Sequence, residues 1–108
     1  MRLERGACVL AGLLAACGTA PPQAVVTATR YACSDGRTVT ARYPDRDTAR
    51  IAIDGAPHVL RIARSADGVR YVGDGWQWWT KGMRNGTLAP LAAGEAVASA
   101  PGTACVAF

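Results

Sequence analysis

The sequence predicts an all-β fold, an antiparallel sandwich or barrel, on three observations. Short segments rich in β-branched and aromatic residues recur at regular spacing from Arg30 onward. Turn signals stand between them, and no strand–helix alternation of the kind that builds a parallel sheet is present. Arg30-Tyr31-Ala32-Cys33 reads as a short strand closed by Ser34-Asp35-Gly36, whose Asp-Gly pair hairpins favour. Thr38 to Tyr43 is β-branched and aromatic, and Pro44-Asp45-Arg46-Asp47 is expected to break it. Thr48 to Ile53 alternates in polarity, and Asp54-Gly55 turns again. His58 to Ile62 forms the next strand. Residues 63–67 form a loop of small and charged residues leading to a short strand, Gly68 to Tyr71. Gly73-Asp74-Gly75 turns into Trp76–Lys81. Asn85-Gly86 reads as a further turn pair and Thr87-Leu88-Ala89 as a strand. For Pro90 to Pro101, rich in Ala and Gly, a loop, an edge strand and one turn of helix all remain open.

The chain has 108 residues, room for one domain with a small core, so a covalent staple would matter. Its formal charge of +4 comes from 12 basic and 8 acidic residues scattered along the chain. No block of like charges suggests a basic arm, so nucleic acid is not an expected partner. The first segment reads as an address. Arg2 and Arg5 precede an apolar stretch from Ala7 to Ala16, too short to span a bilayer. That stretch ends in Leu14-Ala15-Ala16-Cys17, which resembles a bacterial lipobox, where the cysteine is acylated before cleavage. Residues 1–16 are therefore expected to be a lipoprotein signal peptide and 17–29 a lipidated cysteine with a flexible tether. The folded domain occupies 30–108. Gly18 after Cys17, by resemblance to Gram-negative lipoproteins, permits sorting to the outer membrane. The expected location is the cell envelope, on the outer membrane and facing the periplasm, with acyl chains at Cys17 holding the protein to the bilayer.

Of four cysteines, Cys8 leaves with the signal and Cys17 is consumed by lipid. Cys33 and Cys105 remain, at opposite ends of the domain and outside the cytosol, where disulfides persist. One bridge between them would tie the first strand to the last and contribute about 4 kcal/mol in the chain-entropy model. With a single histidine and no close cysteine pair, no metal site is expected, and nothing requires a cofactor. An enzyme is not indicated either. There is no nucleophile motif, no zinc-protease motif and no phosphate-cradling glycine loop. His58 reads as a sheet residue, and Asp35, Asp54 and Asp74 each neighbour a glycine, so turn formation explains them.

Residues 67–82, DGVRYVGDGWQWWTKG, stand apart. This segment resembles the central motif of the membrane-bound and periplasmic inhibitors of c-type lysozyme, Ser-Gly-x-x-Tyr, a turn, then an aromatic strand ending aromatic-Trp-x-Lys-Gly. Gly68 and Tyr71 match the first half, and Trp78, Trp79, Lys81 and Gly82 the second. Tyr31-x-Cys33 with Asp35-Gly36, the hairpin at Ala52-Ile53-Asp54-Gly55, and Cys105 resemble the rest of the family's frame.

The resemblance implies an eight-stranded antiparallel barrel closed by Cys33–Cys105, with a c-type lysozyme as protein partner. It further implies that Lys81 and a neighbouring loop enter the lysozyme cleft, so that Lys81, Asp67, Ser65, Gly68, Tyr71 and Thr80 contact the enzyme. Lys81 is the only lysine in the chain. This chain departs from the pattern at Asp67, where the family carries serine, with Ser65 two residues earlier. Three consequences are open: Ser65 takes over, Asp67 pairs with Arg70 or Lys81, or the contact is weakened by repulsion between carboxylates. A different reading takes Trp76 to Trp79 as a platform for a saccharide or peptidoglycan-binding lipoprotein, which would need several exposed rings in a row. By strand parity Trp76, Trp78 and Thr80 share one face and Gln77, Trp79 and Lys81 the other; parity alone leaves open which is inside.

Overall fold

The computed structural model describes residues 27–108; the expected signal segment, Cys17 and all but the end of the tether lie outside the described residues. Two hairpins set the local geometry. At Asp54-Gly55 both central residues have positive φ (47° and 87°), and the same holds at Asp74-Gly75 (54° and 81°). That is the primed turn whose twist matches the flanking strands, and aspartate tolerates the left-handed region better than most side chains. Around these and wider turns run eight strands: β1 Thr29–Cys33, β2 Thr38–Asp45, β3 Thr48–Ile53, β4 Ala56–Ala63, β5 Val69–Gly73, β6 Trp76–Lys81, β7 Asn85–Pro90 and β8 Thr103–Ala107. Each pairs antiparallel with its successor, and β8 returns to β1, so the sheet closes into a barrel with no free edge.

Alternation decides the register, because a one-residue slip would turn every apolar side chain outward. Val39 and Ala41 on β2 face Ile53 and Ile51 on β3 across the ladder, and all four are buried in the barrel. Trp78 fills the centre. It is wholly buried, meets Tyr31 edge-on at 4.9 Å between ring centres, and donates its indole N–H to the Tyr43 hydroxyl at 3.0 Å. A buried indole needs such a partner, since an unpaired N–H inside the core would cost about 1–3 kcal/mol. Cys33 and Cys105 face each other across β1 and β8 and are joined as a disulfide. The pairing expected from cysteine arithmetic is thus the one observed.

Two local expectations are corrected, and one left open is decided. Pro44 does not end its strand: β2 runs on to Asp45, with the register shifting between Arg42 and Asp45. A bulge leaves a residue unpaired, so the missing N–H of proline costs nothing there. Asn85-Gly86 is not a turn but the start of β7, and the reversal occurs at residues 82–84. Gly86 lies directly against the six-membered ring of Trp78, where a β-carbon would overlap it, so the glycine serves close approach rather than chain reversal. Finally, residues 91–102 form no regular strand or helix. They cross the outside of the barrel and are pinned by two buried polar residues of β5 and β6. Gln77 accepts from the Ala98 N–H at 3.1 Å, and Arg70 donates to the Ala96 carbonyl at 2.9 Å and to Gln77 at 3.2 Å.

Candidate functional site

The end of the barrel where β4 passes to β5 and β6 to β7 gathers most of the residues singled out by sequence. The connecting loop 64–68 is held from below. Arg70, only 6% exposed, donates from Nε and from a terminal nitrogen to the Arg64 carbonyl at 3.1 and 2.7 Å. A buried guanidinium satisfied by three backbone and side-chain acceptors leaves the loop little freedom at its start. At its other end Gly68 has φ +66°, and a β-carbon would overlap the Thr80 carbonyl, so only glycine brings the loop this close to β6. Between these anchors the Ser65 hydroxyl donates to the Gly68 carbonyl at 3.1 Å, and the Trp79 indole donates to the Asp67 carbonyl at 2.7 Å.

Those constraints deliver Asp67 beside Lys81. The Lys81 ammonium is 3.5 Å from the Asp67 carboxylate and 5.3 Å from the centre of the Trp79 ring. Both charged side chains are open to solvent, at 60% and 73% exposure. Of the two partners open to Asp67, Lys81 is the one it meets; Arg70 lies on the barrel's outer face beneath residues 91–102 and is bonded to Arg64, Gln77 and Ala96. An ion pair this exposed is weak, about 0–1 kcal/mol, so the ammonium can exchange its partner.

Tyr71 and Thr80, expected among the contact residues, are 6% and 8% exposed. Both point into the barrel by strand parity, and the Thr80 hydroxyl donates to the Val69 carbonyl at 3.3 Å. They support the rim from beneath, where both line the barrel mouth. Beside Lys81 the barrel mouth opens as an apolar cavity of about 260 Å³, with Tyr43, Val69, Tyr71 and Met83 in its wall. Met83, 87% exposed, and Val69, 38% exposed, form its lip. Sequence reasoning missed this lip and the clamping role of Trp79. The Trp79 clamp was within reach, since parity puts Trp79 on the same outer face as Lys81. Burial in the mouth pushes the pKa of Tyr43 above the usual tyrosine value, with its hydrogen bond to Tyr31 adding to it, and burial likewise raises that of Tyr71.

The aromatic strand offers no row of rings. Trp78 is wholly buried, while Trp76 and Trp79 are half-buried on opposite faces of β6. Trp76 packs near His58 at 6.0 Å and under the Arg37 guanidinium at 5.6 Å, at the far end of the barrel.

Comparison with known proteins gives three findings. The family described as membrane-bound lysozyme-inhibitor of c-type lysozyme matches residues 31–96. A protein of Cupriavidus necator named membrane-bound lysozyme inhibitor of C-type lysozyme is 44% identical over 78 residues, covering 69% of this chain and 62% of the relative. The chain thus aligns with somewhat under two thirds of that relative's length. The crystal structure of Pseudomonas aeruginosa MliC in complex with hen egg white lysozyme is similar with a TM-score of 0.56 at 24% identity, over 91% of this chain and 100% of that one, which establishes the shared fold.

Proposed function

The chain belongs to the family of membrane-bound lysozyme inhibitors of c-type lysozyme, and on that premise we propose that it blocks a c-type lysozyme by lodging Lys81 in the enzyme's catalytic cleft. The observation that carries this reading is the exposed Lys81 ammonium on a rigid strand end, 3.5 Å from Asp67 and beside an apolar lip.

The chemistry follows from what a retaining glycosidase needs. Its two carboxyls stand about 5–5.5 Å apart, one protonated to serve as general acid and one ionised. An ammonium placed between them stabilises both ionised forms, so the acid gives up its proton and cannot protonate the leaving sugar. The lysine also fills the space of the scissile bond. Charge-assisted hydrogen bonds in such a dry cleft contribute about 1.5–3 kcal/mol each. To make them Lys81 exchanges Asp67 for the enzyme's carboxylates, and Asp67 then faces like charge. Ser65, Gly68 and Asp67 contact the cleft from the loop, while Tyr71 and Thr80 hold the rim. The protein acts from the cell envelope, with residues 1–16 as signal peptide, Cys17 acylated, 17–29 as tether, and the barrel on the periplasmic side of the outer membrane.

A turbidity assay tests the reading: purified chain added to c-type lysozyme should slow the clearing of a cell-wall suspension in proportion to its concentration. Undiminished clearing at saturating protein, together with binding of a chitooligosaccharide, would overturn it in favour of a saccharide-binding role.

A further inference from the structure

The charges on this barrel are segregated in a way that inhibition does not use. Every acidic residue among the described residues sits in a turn or loop, apart from Asp45, the last residue of β2. Arginines instead occupy the outer faces of four consecutive strands: Arg30 on β1, Arg42 on β2, Arg50 on β3 and Arg61 on β4, all exposed. The ladder makes them neighbours. Arg30 is opposite Thr40, one diagonal step from Arg42. Arg42 is directly opposite Arg50. Arg50 is opposite Val59, one diagonal step from Arg61.

Like charges directly opposite one another on a sheet repel. Among the described residues the ion pairs engage Arg37, His58 and Lys81; Arg30, Arg42 and Arg50 meet no carboxylate there, and Arg61 feels Asp45 across Thr48 without forming an ion pair with it. Arg61 donates to the Thr48 hydroxyl, which leaves its charge intact. A shallow groove of about 290 Å³ runs beside Arg42 and Arg50, floored by Ala52, Pro57 and Val59, and Val59 is 46% exposed. Guanidinium groups over a small apolar floor suit phosphate esters bearing hydrocarbon chains, because the planar fork binds phosphate oxygens in pairs.

The topology says where this face points. In a closed ring of eight strands the β2–β3 pair lies diametrically across from the β6–β7 pair, and Lys81 ends β6. The chain arrives at the basic face, since Thr29 opens β1 one residue before Arg30. From Cys17 to Thr29 a fully extended chain spans about 40 Å, at about 3.3–3.6 Å per residue, which holds the barrel within reach of its anchoring bilayer. We infer that the Arg30–Arg42–Arg50–Arg61 face docks on the anionic phospholipid headgroups of that membrane, so that Lys81 is turned away from the bilayer toward incoming lysozyme. This orientation rests on the inhibitor reading above; the lipid contact is carried by the arginine band itself.

The test uses the chain from residue 17 onward with Cys17→Ser, so that neither the signal segment nor an acyl chain contributes, and sedimentation with phosphatidylglycerol-containing or pure phosphatidylcholine vesicles. The parent should pellet with the anionic vesicles at low salt, release at high salt and ignore the neutral ones. Each arginine near an anionic surface changes partitioning about fivefold, so Arg42→Gln with Arg50→Gln should weaken it at least tenfold. Arg37→Gln removes a charge already paired with Asp35 at the far end of the barrel and should change little. In solution the double variant should inhibit lysozyme as the parent does, and vesicle-bound parent should still inhibit. Equal binding to both vesicle types, equal binding by the double variant, or salt-sensitive pelleting with purified peptidoglycan in place of vesicles would overturn the lipid contact without touching the inhibitor reading. A parent that binds vesicles but leaves lysozyme fully active would overturn the inhibitor reading and the orientation with it.

Discussion

Asp67 and Lys81 face each other across 3.5 Å at the rim of the barrel, with the carboxylate occupying the position where the family pattern has serine. The pairing offsets, in the free protein, the charge on which the proposed inhibition depends. It also orients the lysine, since the Asp67 backbone is clamped by the Trp79 indole at 2.7 Å and the Lys81 ammonium lies over the same ring.

Replacing Asp67 with serine should therefore strengthen inhibition. The variant loses an exposed pair worth less than about 1 kcal/mol of stability, and it removes a carboxylate that must otherwise approach two others. Inhibition constants are expected to fall severalfold with the melting temperature nearly unchanged. An unchanged or higher constant would show that Asp67 does not oppose binding.

Arg70 gives a separate check, because it is itself buried, beside the Trp79 ring, and ties loop 64–68 to residues 91–102. Arg70→Ala strands the Arg64 and Ala96 carbonyls and half of the Gln77 amide. The expected loss is about 1–3 kcal/mol in denaturant unfolding, together with weakened inhibition from a loop no longer held. Full stability with full inhibition would remove Arg70 from the account.

How much of this was legible beforehand depends on which physical signal each residue carries. Strands β3 and β6 were readable to the residue because alternation and flanking Asp-Gly turns agree. Gly86 misled because glycine serves two ends: it permits reversal, and it permits close approach, here to Trp78, a residue eight positions away in sequence and on the facing strand. Pro44 misled in the same way, since a bulge excuses the missing donor. Lys81 and Asp67 were identified by motif, but their pairing needed the left-handed Gly68. Arg70 carried no local signal at all, because its partners Arg64, Gln77 and Ala96 are brought together only by barrel closure.

The disulfide closes a loop of 72 residues between the first strand and the last. Cys33→Ala with Cys105→Ala should cost about 4 kcal/mol of unfolding free energy by the chain-entropy relation. Equilibrium denaturation measures it. A loss below about 1 kcal/mol would mean that the barrel seam between β1 and β8 holds without the bridge.

Alkaline titration probes the mouth beneath the rim. The folded state raises the pKa of Tyr43 and Tyr71 above the ordinary tyrosine value, chiefly by burial. Raised values mean that their contribution to stability is complete below about pH 10 and is lost as pH climbs beyond it, when the unfolded chain ionises first. Phenolate absorbance should therefore lag behind that of free tyrosine and then rise together with loss of the folded signal. Full ionisation with the fold intact near pH 10 would contradict the burial of these rings.

The central claim concerns the ammonium of Lys81, and Lys81→Ala measured in the lysozyme turbidity assay addresses it most directly. The side chain is 60% exposed and its one ion pair is a surface pair, so the melting temperature should stay within the small shift expected of a surface substitution. Inhibition should fall at least tenfold, the equivalent of one lost charge-assisted hydrogen bond. A folded Lys81→Ala variant that inhibits as strongly as the parent would contradict the account.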